Sequence, residues 1–137
     1  FGPIFSILVD HCQSKNRLNR LTAVSWMKEL INHPHSGKDA LLPFYAQILE
    51  PILKCIYDSE AEIRQVAETA NRNLLDLLKD TKKNFEIRPL LNIFIKELFD
   101  RNDVSTQIAA LHWINMLLEK HPISMNDFLE SLLPVLL

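Results

Sequence analysis

The sequence predicts an all-α fold, an α-α superhelix (solenoid) of three helix pairs plus one additional helix. Three observations carry that prediction. Leu21-Thr22-Ala23-Val24-Ser25-Trp26-Met27-Lys28-Glu29-Leu30-Ile31 returns as Ile108-Ala109-Ala110-Leu111-His112-Trp113-Ile114-Asn115-Met116-Leu117-Leu118, 87 positions later with both tryptophans in register. A third copy with smaller residues lies between them. Ala67, Ala70, Leu74 and Leu75 follow Ala23, Trp26, Leu30 and Ile31 by 44 positions and precede Ala110, Trp113, Leu117 and Leu118 by 43. A period of that length in apolar helical text marks stacked helix pairs. Finally, the 137 residues contain two glycines, Gly2 and Gly37, which leaves a hairpin fold without its turn residues.

The first helix is expected from Pro3 to Cys12, with Ile4, Ile7, Leu8 and His11 on one face. Proline is tolerated in a first turn, where its missing N–H costs nothing. A polar turn, Gln13 to Asn16, leads to a second helix over Leu18 to Asn32. His33-Pro34-His35-Ser36-Gly37-Lys38 then breaks the chain, because the residue before proline avoids the α region and glycine permits a left-handed turn. Asp39 is the expected cap of a third helix, Ala40 to Tyr57, which carries Pro43 near its start and a bend at Pro51.

Ser59 and Glu62 have the spacing of a capping box at the start of a fourth helix that continues to Lys79. Asp80 to Asn84 link it to a fifth helix over Glu86 to Phe99. Asp103 caps a sixth helix, Val104 to Lys120, which His121-Pro122 ends. Ser124 to Asp127 cap a seventh helix that runs to Leu137. The resulting units are residues 1–35, 39–80 and 85–121, with a half unit over 124–137. Trp26, Ala70 and Trp113 are expected to point inward at successive junctions. The apolar run that closes the sequence and the absence of a leading methionine suggest one segment of a longer array.

The composition excludes several functions. At 47% hydrophobic and 23% charged the chain has material for a core, and a net charge of −2 gives no general attraction to nucleic acid. No apolar run approaches the roughly 20 residues of a membrane span. Cys12 and Cys55 sit in apolar helical text and read as buried, reduced thiols of an intracellular protein.

His11 and Cys12 are adjacent and diverge by about 100° on a helix, while His33 and His35 lack a second ligand pair, so no metal site is expected. Ser25, Asp103 and His112 lack the sharp turn and oxyanion-hole glycines of a catalytic triad, and no phosphate-binding loop occurs. Neither catalysis nor a cofactor is expected. Two basic clusters, Lys15, Arg17 and Arg20 and then Lys79, Lys82, Lys83 and Arg88, border inter-helix turns that would line one solenoid edge.

If the inward set is as above, the second helices present Thr22, Ser25 and Glu29, then Val66, Thr69 and Asn73, then Ala109, His112 and Met116. This nearly uncharged face suits a closely fitting protein partner better than a phosphate backbone.

Ile7-Leu8-Val9-Asp10-His11-Cys12-Gln13, followed by Leu21 to Glu29, resembles the vacuole-morphology scaffold family, also called the associated regulator of PIKfyve (ArPIKfyve). The likeness continues through Leu42-Pro43, Ile52-Leu53-Lys54-Cys55 and Glu68-Thr69-Ala70-Asn71. It is weaker over Ile108 to Trp113 and Leu132 to Leu136. Some members carry a long polar insertion between the fourth and fifth helices, where this chain has only Asp80 to Asn84.

The resemblance implies an internal segment of a HEAT-like array without catalysis of its own, on the cytosolic face of vacuoles and endolysosomes. It implies protein partners, a phosphatidylinositol 3-phosphate 5-kinase and an opposing Sac-type phosphatase that together control phosphatidylinositol 3,5-bisphosphate. Self-association would lie outside this segment and membrane association would be indirect. The alternative is an unrelated HEAT-repeat adaptor of the transport-receptor or phosphatase-scaffold type.

Overall fold

The computed structural model describes residues 2–32, 38–100 and 103–136, which form seven α-helices and one 3₁₀ helix. The helices are α1 (Gly2–Cys12), α2 (Arg17–Asn32), α3 (Tyr45–Ile56), α4 (Ala61–Asp80), α5 (Arg88–Asp100), α6 (Val104–Lys120) and α7 (Pro122–Leu136), with the 3₁₀ helix at Lys38–Phe44. Neighbours pair as α1 with α2, α3 with α4 and α5 with α6. Helices α1, α3 and α5 then contact one another along one layer, and α2, α4 and α6 along the other. This is an α solenoid. The turns expected at His33 to Gly37 and at Arg101-Asn102 lie outside the described residues.

Helix α3 is the centre of the core. It buries Tyr45, Ile48, Leu49, Pro51, Ile52, Leu53, Cys55 and Ile56, and packs on α1, α2, α4, α5 and α6. Its start differs from the expected one. Residues 38–44 wind as a 3₁₀ helix, and Phe44 breaks the path at φ −112° and ψ 0°. Pro43 stands just before the break and supplies no N–H to carry a helical hydrogen-bond path through it. The N-cap of α3 is Phe44, with no side-chain cap hydrogen bond, and not the expected Asp39.

The expected capping box at Ser59 and Glu62 does not form, because α4 begins one residue later than the box requires. Asp58 substitutes for it: its Oδ1 accepts the Glu60 N–H at 3.0 Å. Helix α5 starts at Arg88, not Glu86. The preceding residues are held elsewhere, with Phe85 edge-on to both Tyr45 and His121 and the Glu86 carbonyl accepting the Tyr45 hydroxyl. Asp103 does cap α6, accepting from the Thr106 N–H at 2.9 Å and its hydroxyl at 3.0 Å. Only His121 separates α6 from α7, which opens on Pro122 and not at Ser124 to Asp127. Proline at the first helical position suits that abrupt restart.

In α1 the buried face is not the one expected. Phe5 and Cys12 are buried, Leu8 and Val9 are partly so, and Ile4, Ile7 and His11 are exposed. The same one-residue rotation affects α2. It buries Ala23, Val24, Met27 and Ile31, and Trp26 stands 58% exposed. Trp113 is fully buried, stacked at a tilt on Phe94 with ring centroids 5.8 Å apart, and donates its Nε1–H to Asn71 Oδ1 at 2.7 Å.

Aligning buried positions gives one uniform period of 43. Val24, Ala67 and Ala110 are equivalent, as are Met27, Ala70 and Trp113, and Ile31, Leu74 and Leu117. The match of the two tryptophans is thus off by one residue, which on a helix is a rotation of about 100°.

Candidate protein-docking face

In the 43-residue register the outward ridge of the second layer is Trp26, Thr69 and His112, all exposed. Of the nine residues expected on this face, Thr22, Glu29, Thr69 and His112 are exposed, and Ser25, Val66 and Asn73 are half-buried. Ala109 and Met116 are buried, at 7% and 5% exposure, and leave the candidate face. Both flank the inward set Ala110, Trp113 and Leu117, and the buried sector of α6 is wide enough to take them in.

The ridge is not uniform along the array. Helices α2 and α4 pack closely over their lengths, whereas α4 and α6 touch sparsely. Besides the shared apolar core, polar contacts tie α4 to α6: the Trp113–Asn71 hydrogen bond, and Lys120, whose Nζ donates to the carbonyls of Leu78, Lys79 and Thr81 at 2.5, 2.9 and 2.6 Å. The ammonium thereby satisfies carbonyls left unpaired at the C-terminus of α4 and complements its dipole. It also lies 5.5 Å from the centroid of Phe85. Burial pulls the Lys120 pKa below its ordinary value, and Asp80 opposes that pull. Replacing Lys120 with methionine removes three charge-assisted donors and should cost on the order of 1–3 kcal/mol, read as a lower urea midpoint at unchanged slope.

Between α4 and α6 a groove of ≈ 320 Å³ opens, lined by Glu68, Arg72 and Leu75 on one side and Ser105, Ile108 and His112 on the other, with Ile56 of α3 beneath. A smaller notch of ≈ 220 Å³ lies between α2 and the start of α4, bordered by Arg17, Leu21, Glu60 and Glu62.

The two basic clusters do not line one edge. Arg20 donates to the carbonyls of Ser14 and Lys15 at 3.0 and 3.1 Å and, from Nε and Nη2, to both oxygens of Asp58 at 2.8 and 3.1 Å. That contact places the first turn beside the α3–α4 turn, while Lys79, Lys82 and Lys83 lie at the opposite end of α4, about 30 Å away along a 20-residue helix. Arg20 is moreover a structural tie between repeats, a role no local pattern announces. Burial pushes the Asp58 carboxyl up, but Arg20, the Glu60 N–H and Arg64 outweigh it and hold its pKa below the ordinary value.

Cys12 and Cys55 are buried free thiols. The neighbouring Cys55 thiol, burial and the charge of Cys55 all push Cys12 upward, so it is no ready nucleophile. Asp103 is committed to its cap, apart from Ser25 and His112 in role. Among the described residues no group of three His, Cys, Asp or Glu converges as a metal site would, and no helix is long and apolar enough to cross a membrane.

Comparison with known proteins agrees with this architecture. The family model described as "EF3 N-terminal HEAT repeat" matches residues 4–137. The chain is 34% identical over all 137 residues to "Protein VAC14 homolog" of Arabidopsis thaliana. It is 26% identical over 127 residues, 89% of the chain, to "Vacuole morphology and inheritance protein 14" of Saccharomyces cerevisiae. Against "Protein VAC14 homolog" of Schizosaccharomyces pombe it is 27% identical over 132 residues, 85% of the chain. It spans only 18%, 14% and 16% of the lengths of these relatives. No solved structure matches. The chain belongs to the EF3 N-terminal HEAT repeat family, and its curated homologues are the VAC14 vacuole-morphology proteins.

Proposed function

We propose that this chain is a non-catalytic scaffold segment of a complex that controls phosphatidylinositol 3,5-bisphosphate synthesis and turnover at vacuole or endolysosome membranes. The whole-chain likeness to a VAC14 homologue is the observation that carries this reading. The geometry supports a scaffold. Each repeat is bolted to the next by side chains, Arg20 to Asp58, Trp113 to Asn71 and Lys120 to the end of α4, so spacing and curvature are set by the array.

In this role the partners of the parent protein are a phosphatidylinositol 3-phosphate 5-kinase and a Sac-type phosphatase. The exposed second-layer ridge is the surface this segment offers to them. Association with the membrane is peripheral and runs through those partners. Affinity capture of the full-length parent protein should recover both enzymes. Recovery of transport cargo without either enzyme would contradict the reading.

A further inference from the structure

We propose that the groove between α4 and α6 docks an amphipathic helix of a partner protein, with an acidic residue against Arg72, a basic residue against Glu68 and an apolar side chain over Ile108. Val104, Ile108 and Leu111 fall at i, i+4 and i+7 on α6 and are 64%, 47% and 54% exposed. Aliphatics at that spacing form the stripe with which one helix meets another. Of the three, Ile108 lines the groove, where Leu75 and the underlying Ile56 continue the apolar surface.

The facing wall supplies the charge. Glu68 and Arg72 are one turn apart on α4 and exposed, and neither makes an ion pair or hydrogen bond among the described residues. Two opposite charges at i and i+4 are complemented by a second helix with an acid and a base at the same spacing. A polyanion would meet Glu68 in the middle of its path, so a nucleic acid or a lipid headgroup fits less well. Helix-in-groove recognition uses this combination of an apolar anchor and a charged rim. Specificity then lies in the order of charges on the rim.

The inference deepens the scaffold reading, and its test uses purified components, so it stands or falls apart from whether the kinase and phosphatase co-purify. The probe is a fluorescein-labelled, stapled helical peptide of about four turns with a leucine anchor flanked by Glu and Lys at i and i+4. Its binding to the full chain is followed by anisotropy. Saturable binding is expected, weakened at least tenfold by Ile108→Asp and by replacing the peptide's glutamate with lysine. The Arg72→Glu chain should reverse that last preference and favour the all-lysine peptide. Both substituted residues are exposed, and a thermal melt checks each variant; should Ile108→Asp unfold, the milder Ile108→Ser takes its place. No saturable binding up to about 1 mM, binding indifferent to the loss of Ile108, or no reversal by Arg72→Glu overturns the proposal.

Discussion

Trp113→Ala should lower the stability of the chain by about 3–5 kcal/mol, whereas Trp26→Ala should change it by no more than about 0.5 kcal/mol. The sequence around the two residues is closely alike, so the contrast comes from packing alone. Trp113 is fully buried between α4 and α5, in ring contact with Phe94 and hydrogen-bonded to Asn71. Its removal leaves a large cavity and an unpaired amide oxygen on Asn71. Both losses act at the junction where α4 and α6 otherwise touch little. Trp26 has more than half its surface in water and fills no such cavity. Parallel thermal melts check this, with a fall of roughly 8–20 °C expected for Trp113→Ala. Equal losses for the two variants would contradict the contrast.

Arg20→Ala should be the second most damaging single change, costing about 2–4 kcal/mol. The Arg20 guanidinium makes four hydrogen bonds that join the α1–α2 turn to Asp58 in the next repeat, and the side chains of the pair are only 16% and 9% exposed. Removal strands a largely buried carboxylate that also holds the start of α4. Arg20→Lys should rescue little, because an ammonium cannot span both carboxylate oxygens and two carbonyls from one position.

The pair also predicts a pH dependence. The folded pKa of Asp58 lies below its ordinary value of 3.8. Its contribution is therefore fully present above the unfolded value and is lost as pH falls through the lower, folded one. Urea midpoints of the parent and of Arg20→Ala should differ by a constant amount above about pH 5 and converge below about pH 3.9. A difference that persists undiminished in acid would show that the ion pair is not its source.

Much of the fold was legible locally, because helix ends are written in local chemistry. Asp103 caps α6 and His121-Pro122 closes it, as capping and proline rules require. The rotation of α1 and α2 was not, whereas Ala67, Ala70 and Leu74 of α4 and Ala110, Trp113 and Leu117 of α6 are buried as their spacing predicts. In α2 both Trp26 and Met27 are large and apolar, and only the position of α4 decides which faces inward. The repeated Ala-x-x-Trp wording pulled the register one residue away from the common period of 43. Spacing also did not show how wide the buried sector of α6 is, which takes in Ala109 and Met116 and leaves Val104, Ile108 and Leu111 exposed.

Contacts between repeats were equally invisible. Arg20 and Asp58 are 38 positions apart, and Lys120 meets carbonyls 39 to 42 positions away, with nothing in the local pattern to join them. The groove lies where α4 and α6 touch sparsely, which is a property of the assembled layers.

The central claim is the uniform 43-residue register that sends Trp113 inward and Trp26 outward, and acrylamide quenching of the two single-tryptophan proteins tests it most directly. Trp26→Phe leaves Trp113 as the sole emitter, and Trp113→Phe leaves Trp26. The register predicts blue-shifted emission that resists acrylamide in the first protein, and red-shifted, readily quenched emission in the second. A protected Trp26, or a Trp113 as accessible as free indole, would contradict it.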